Sequence, residues 1–261
     1  MSQQPSSFSE TWRVLAYTLA IALAFIALQR LQLAVFSLPG TAVLLERFGL
    51  RDARPQDALQ EQAAQVAADS RDALARLPQG HRMAALRLGY DLAYANYLVA
   101  GYAMAPPQIQ AAARQRVEAQ VAEARRHART LGVGEVDLLP AHSLKQFVDL
   151  CQRYEADQSG LAARVEQRVS PLHRHLYLLG AQAGCEAARV ADTGGLHSLP
   201  PATPIRRNAV LAGIDETHWQ PLIVEPRDET PAQVLLRYAQ AIDQLMAEVA
   251  RQDAADTAVA R

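Results

Sequence analysis

The stretch from Trp12 to about Leu33, WRVLAYTLAIALAFIALQRLQL, limits every fold open to this chain, because Val14–Leu28 carries no charge at all. A helix rises about 1.5 Å per residue, so roughly 20 residues cross a hydrocarbon core about 30 Å thick. Val14–Leu28 is too short for that. Trp12 at one boundary and Arg30 snorkelling towards the other bring the segment to length. A cleaved signal peptide fits less well, since the small-residue site Ala22-Leu23-Ala24 would cut inside the apolar run and only Arg13 precedes it. The expectation is an uncut single-pass anchor with the lipid bilayer as its first partner. Ala16, Ala20 and Ala24 share one face of that anchor and predict lateral association with another transmembrane helix.

Orientation follows less directly from the charges. Arg13 lies on one side of the span and Arg30, Arg47, Arg51 and Arg54 on the other, which taken literally keeps the following domain in the cytoplasm. Long domains, however, translocate largely regardless of their charge. The expected placement is therefore the bacterial inner membrane with the soluble domain in the periplasm, the cytoplasmic side remaining the alternative. A bacterial origin is read from the bias towards arginine: of the 26 basic residues, Lys145 is the single lysine. With a net charge of −1 the chain lacks the electrostatic footprint of a nucleic-acid binder, and no nucleic acid is expected as a partner.

Beyond the anchor, apolar residues recur at helical spacing and proline and glycine punctuate them, so the fold class expected is all-α: a single transmembrane helix followed by a multi-helix bundle of antiparallel hairpins. The expected organisation is a disordered 1–11, an anchor over 12–38 and a juxtamembrane segment over 39–54. A bundle over 55–192 follows, then a linker, strap and short helix over 193–229, a C-terminal helix over 230–251 and a flexible tail over 252–261. Pro55 opens the first bundle helix and Pro78-Gln79-Gly80 closes it. His81 to Met104 carries two apolar stripes and should lie at the centre. Gln108 to Leu131 shows a narrow apolar seam with charged residues on its other faces; among these Arg125, Arg126, His127 and Arg129 form a cluster that would hold anionic lipid or phosphate or simply answer the helix dipole, which favours cations in the last turn. Ser143…Gln146 and Thr230…Gln233 have the form of capping boxes.

The helix opened by Ser170-Pro171 has a face of small residues, His173, Tyr177, Gly180, Gly184 and Ala188, which predicts close approach of another backbone or an interface. His81-Arg82 through Gly89 and His173-Arg174 through Gly180 echo one another, as a duplicated hairpin would. Cys151 and Cys185 lie on successive major helices. An antiparallel pair would join them as a disulfide in an oxidising compartment, whereas in the cytoplasm they would be buried thiols.

Motifs for catalysis thin out. The sequence has no HExxH, GxSxG, P-loop, Rossmann or CxxC pattern, so no cofactor or metal is expected, and no family resemblance is drawn. His173, His175 and Glu186 form the one close grouping, and helical geometry puts His173 on a different face from the other two. Tyr90, Tyr94 and Tyr97 form a stripe that would line a small-molecule pocket or pack in the core. Three readings remain. The first is an accessory, scaffold or assembly subunit of an envelope complex, partnered by other membrane or envelope proteins. The second is a tethered sensory or carrier domain binding a small molecule between helices, and the third an enzyme without a local motif.

Overall fold

Local signals decide where each helix starts. Ser143 Oγ accepts a hydrogen bond from the Gln146 amide at 3.3 Å. At Thr230 the box is reciprocal: the Thr230 amide donates to Gln233 Oε1 at 2.8 Å and the Gln233 amide to Thr230 Oγ1 at 3.4 Å. Each such box satisfies amides that the first helical turn leaves without acceptors. Our computed structural model describes residues 55–77, 79–103, 105–136, 143–193, 202–223 and 229–259. The expected anchor over 12–38, with Ala16, Ala20 and Ala24, and the juxtamembrane segment lie outside the described residues. Among the described residues, no helix is long and apolar enough to cross a membrane.

The described elements are α1 (Pro55–Leu74), α2 (His81–Tyr102), α3 (Pro107–Thr130), α4 (Leu144–Glu155), α5 (Gly160–Arg168), α6 (Pro171–Thr193), α7 (Ala202–Leu211), α8 (Glu216–Trp219), a 3-10 turn (Gln220–Leu222) and α9 (Pro231–Val259). All belong to a multi-helix bundle, and no strand occurs among the described residues. Helix α5 is absent from the sequence reading, although Ser159 caps it by accepting from the Ala162 amide.

Helices α2 and α6 form the centre, burying Leu86, Leu88, Leu176, Leu178 and Leu179. Their backbones meet at glycine. A Cβ built on Gly180 would lie 1.9 Å from the Leu86 carbonyl oxygen, and one on Gly89 would lie 2.0 Å from the Tyr177 carbonyl oxygen. Gly184 likewise faces the Tyr90 carbonyl at 2.7 Å. The contacts exchange partners as a two-fold relation would, Gly89 corresponding to Gly180 and Leu86 to Tyr177; this is the register of the glycines in the sequence echo, from which its His-Arg pair is offset by one residue. Leu86 beside Gly180 and Tyr90 beside Gly184 also mean that the two helices run in the same direction.

This corrects the expectation of antiparallel hairpins throughout. Antiparallel neighbours exist, but the central pair is parallel because α3, α4 and α5 return the chain to the end from which α2 began. His173, Tyr177, Gly180, Gly184 and Ala188 are spent on the interior of the bundle, and all five are buried.

A second correction concerns the C-terminus. Instead of a flexible tail from 252, α9 continues to Val259. Helix α2 begins at Gly80, which has no side chain to cap it. The carboxylate of Asp253 takes that role, accepting from the Arg82 amide at 3.0 Å and the Met83 amide at 2.8 Å. Arg82 in turn meets Asp256 at 2.5 Å. The region expected as linker and strap also enters the core, through Ile205, Trp219 and Leu222.

Candidate functional site

Helix α4 is the most strongly amphipathic short element, and one stripe of it opens a groove. Phe147, Leu150 and Tyr154 face inward, whereas Leu144 and Val148 remain 46% and 51% exposed. Leu144, Val148, Cys151, Gln152 and Glu155 follow one another at helical spacing along the wall of a cavity of about 400 Å³. The opposite wall is α6, which contributes Gln182, Cys185, Glu186 and Arg189. Tyr97 of α2 and Ile205 of α7 complete the lining.

The two walls are covalently joined. A disulfide links Cys151 to Cys185, with Cα atoms 5.9 Å apart, and Gln182 Nε2 donates to the Tyr154 carbonyl at 3.1 Å one turn away. Tyr154 beside Gln182 and Cys151 beside Cys185 make α4 and α6 antiparallel. The groove therefore cannot widen at its middle while the bridge is intact.

Its polar groups are Gln152, Glu155, Gln182, Glu186 and Arg189, of which Gln182 and Glu186 are buried. Glu186 is only 3% exposed and pairs with Arg189. Burial pushes its carboxyl above the usual carboxylate range, against the pull of the Arg189 guanidinium. Burial also raises Glu155, with Arg189 again opposing. Gln182 spends its amide nitrogen on Tyr154, and its buried Oε1 has no hydrogen-bond partner. An apolar cleft with a few convergent polar groups and perturbed acids has the make-up of a binding site.

The tyrosine stripe is divided between two places. Tyr90 stacks on Tyr94 with centroids 6.1 Å apart, Tyr94 lies 6.0 Å from Tyr97, and Tyr97 lies 5.6 Å from Phe147. Only Tyr97 reaches the groove. Tyr90 and Tyr94 instead flank a separate cleft of about 320 Å³ against Leu235, Tyr238 and Ile242 of α9, where burial pushes the Tyr90 hydroxyl up to about 12.

His173, His175 and Glu186 do not converge. His173 is fully buried, its Nδ1 2.8 Å from Ser170 Oγ, and burial lowers its pKa to about 3. His175 Nδ1 lies 2.9 Å from Asn208 Oδ1. Among the described residues no three metal-binding side chains come together.

One titratable group escaped the sequence reading. Asp91 is 3% exposed inside α2, accepts from Gln120 Nε2 at 2.6 Å and lies 3.6 Å from His127. Burial lifts its pKa to about 6. The signal was present: Asp91 stands among Leu88, Leu92 and Ala95, where an apolar residue belongs.

No protein-family model, no curated protein and no solved structure matches this chain.

Proposed function

We propose that this protein is a single-pass, membrane-anchored helical adaptor of a bacterial envelope complex, holding its domain on the periplasmic side and seating an apolar segment of a partner protein in the α4/α6 groove. The observation that carries the reading is the groove itself. Leu144 and Val148 stand half-exposed at the lip of an apolar cleft whose walls are stapled by Cys151–Cys185. Contiguous exposed apolar surface of this kind marks interaction sites. The bridge supports an oxidising compartment, because disulfides persist outside the cytoplasm and are rare within it. The charge-free run Val14–Leu28 supports the anchor.

A photo-crosslinking amino acid at Leu144, in the full chain in living cells, should give a discrete protein adduct. The same probe at Arg116, exposed on α3, should give none. Adding Val148→Glu should abolish the Leu144 adduct, because a carboxylate at the lip would have to be desolvated on docking. Equal labelling at both positions, or an adduct indifferent to Val148→Glu, would count against the groove. A C-terminal alkaline-phosphatase fusion, active only outside the cytoplasm, tests the side of the membrane separately.

One observation favours a second reading, a carrier or sensor of a small apolar molecule in the same groove. The buried Gln182 Oε1 has no partner among the described residues and would accept from a ligand donor. Native mass spectrometry of the purified full chain would then show a bound small molecule that Val148→Glu displaces.

A further inference from the structure

The bridge that staples the groove is also part of its lining. Cys151 and Cys185 both border the cavity, and both are half-buried rather than enclosed. A disulfide is opened by a thiolate that attacks one of its sulfurs, so access decides whether it exchanges in the folded protein. Here the route of access is the groove, the space that the proposed partner segment fills.

The helix that the bridge holds is unevenly anchored. Leu150 and Tyr154 of α4 belong to the main core of the bundle, and the Tyr154 carbonyl accepts from Gln182 Nε2 at 3.1 Å. Phe147 belongs instead to a separate small cluster with Ala100 of α2 and Ala188 of α6, against which Tyr94, Tyr97, Cys151 and Cys185 pack. An alanine offers a single methyl group, so this cluster grips Phe147 with less apolar area than the leucines of the main core supply. Leu144 and Val148 lie on the same turns but are 46% and 51% exposed, and they add little inward contact. With 12 residues, α4 is also at the length where an isolated helix is marginal in water. The first two turns, residues 144–151, therefore depend on the bridge, whereas the last turn has its own hold on the core.

We propose that the Cys151–Cys185 disulfide is a redox latch on the groove: oxidised, it holds Leu144 and Val148 in the geometry that docks a partner, and reduced by a protein dithiol it frees residues 144–151 and the partner leaves. The latch rests on the reading of the groove as a docking site and adds its regulation. The chemistry is thiol–disulfide exchange. One thiolate of the dithiol attacks the Sγ of Cys151 or Cys185, the S–S bond breaks, and a mixed disulfide and one cysteine thiolate result. The second thiolate of the dithiol then attacks the mixed disulfide and releases the other cysteine. Two electrons pass to the bridge, the dithiol ends as a disulfide, and its two protons end on Cys151 and Cys185. Linkage makes the effect reciprocal: a partner that prefers the oxidised form makes the bridge harder to reduce by the same factor.

The test treats the full chain in detergent micelles with dithiothreitol, a small dithiol, in the absence of denaturant. Alkylation and amide hydrogen exchange are then read by mass spectrometry. Both cysteines should be alkylated while the helical circular dichroism is retained. Exchange over residues 144–151 should quicken about tenfold or more, and exchange over residues 176–181 of the central α6 should stay as it was. The double variant Cys151→Ala with Cys185→Ala should show the same fast exchange and no response to dithiothreitol. In living cells, the photo-crosslinking probe at Leu144 should give about fivefold less adduct per chain, or lower, in the double variant than in wild type, since the docking geometry is no longer held in advance. A bridge that opens only in denaturant, unchanged exchange over 144–151, or faster exchange throughout α6 would overturn the latch. Equal adduct in the double variant and wild type would overturn it too, while leaving the groove as a docking site. No adduct in the oxidised wild-type chain would instead remove the docking site on which the latch rests.

Discussion

Replacing Gly180 by alanine tests the central contact of the bundle. At an exposed helical position the change gains up to about 1 kcal/mol, because glycine loses more backbone freedom on folding. At Gly180 the new Cβ would lie 1.9 Å from the Leu86 carbonyl oxygen, where real Cβ contacts essentially never fall below 3.0 Å. The backbones must therefore part by about 1.1 Å. Neither side can yield by a rotamer change, since the obstacle is main chain on the most buried helix pair. Overpacking costs typically about 1–3 kcal/mol, and this site belongs at the upper end because main chain rather than a side chain must move, so with the propensity gain set against it the net loss should be about 2 kcal/mol. For a domain of this size that lowers Tm by roughly 4–8 °C. Thermal unfolding of the full chain in micelles, followed by far-ultraviolet circular dichroism, reads it directly. Gly89→Ala, whose Cβ would meet the Tyr177 carbonyl oxygen at 2.0 Å, should behave alike. Gly101→Ala is the control, because nothing lies within 4 Å of its Cβ, and it should raise Tm by a few degrees at about 1 kcal/mol or less. A Gly180→Ala protein as stable as wild type would refute the close parallel packing of α2 on α6.

Two further outcomes follow from buried groups. Burial raises the Asp91 carboxyl in the folded state to about 6 from its ordinary value of 3.8. Its raised pKa means that the folded state holds the proton more tightly, so this group's contribution to stability is complete below about pH 4 and is lost as pH rises through about 6. The loss is at most about 3 kcal/mol at 1.36 kcal/mol per unit. Asp91→Asn keeps an acceptor for Gln120 and should exceed wild type in Tm above pH 7 while matching it near pH 4. A Tm difference that does not change with pH would show that burial of the charge is not the cause. Cys151→Ser opens a loop of 34 residues and should cost about 3–4 kcal/mol. Alkylation of denatured, unreduced wild-type protein should find neither thiol free, and labelling of both would remove the staple from the groove.

What the sequence determined by itself was local. Helical periodicity, the boxes at Ser143 and Thr230, the punctuation at Pro78-Gln79-Gly80 and the demand for a close neighbour at Gly180 and Gly184 all depend on residues within a turn or two of each other. The central place of α2 was likewise legible in its two apolar stripes. The direction in which α2 and α6 pair was decided only in three dimensions, because it depends on how α3, α4 and α5 bring the chain back. So was the role of Asp253, which looks like part of a fraying tail until the uncapped start of α2 is set beside it. The tyrosine stripe reads as one surface along α2, yet Tyr97 packs on Phe147 of α4 while Tyr90 and Tyr94 flank a cleft against α9. The α4/α6 groove and the orphaned oxygen of Gln182 arise where helices far apart in the chain meet imperfectly, and no spacing along the sequence encodes that.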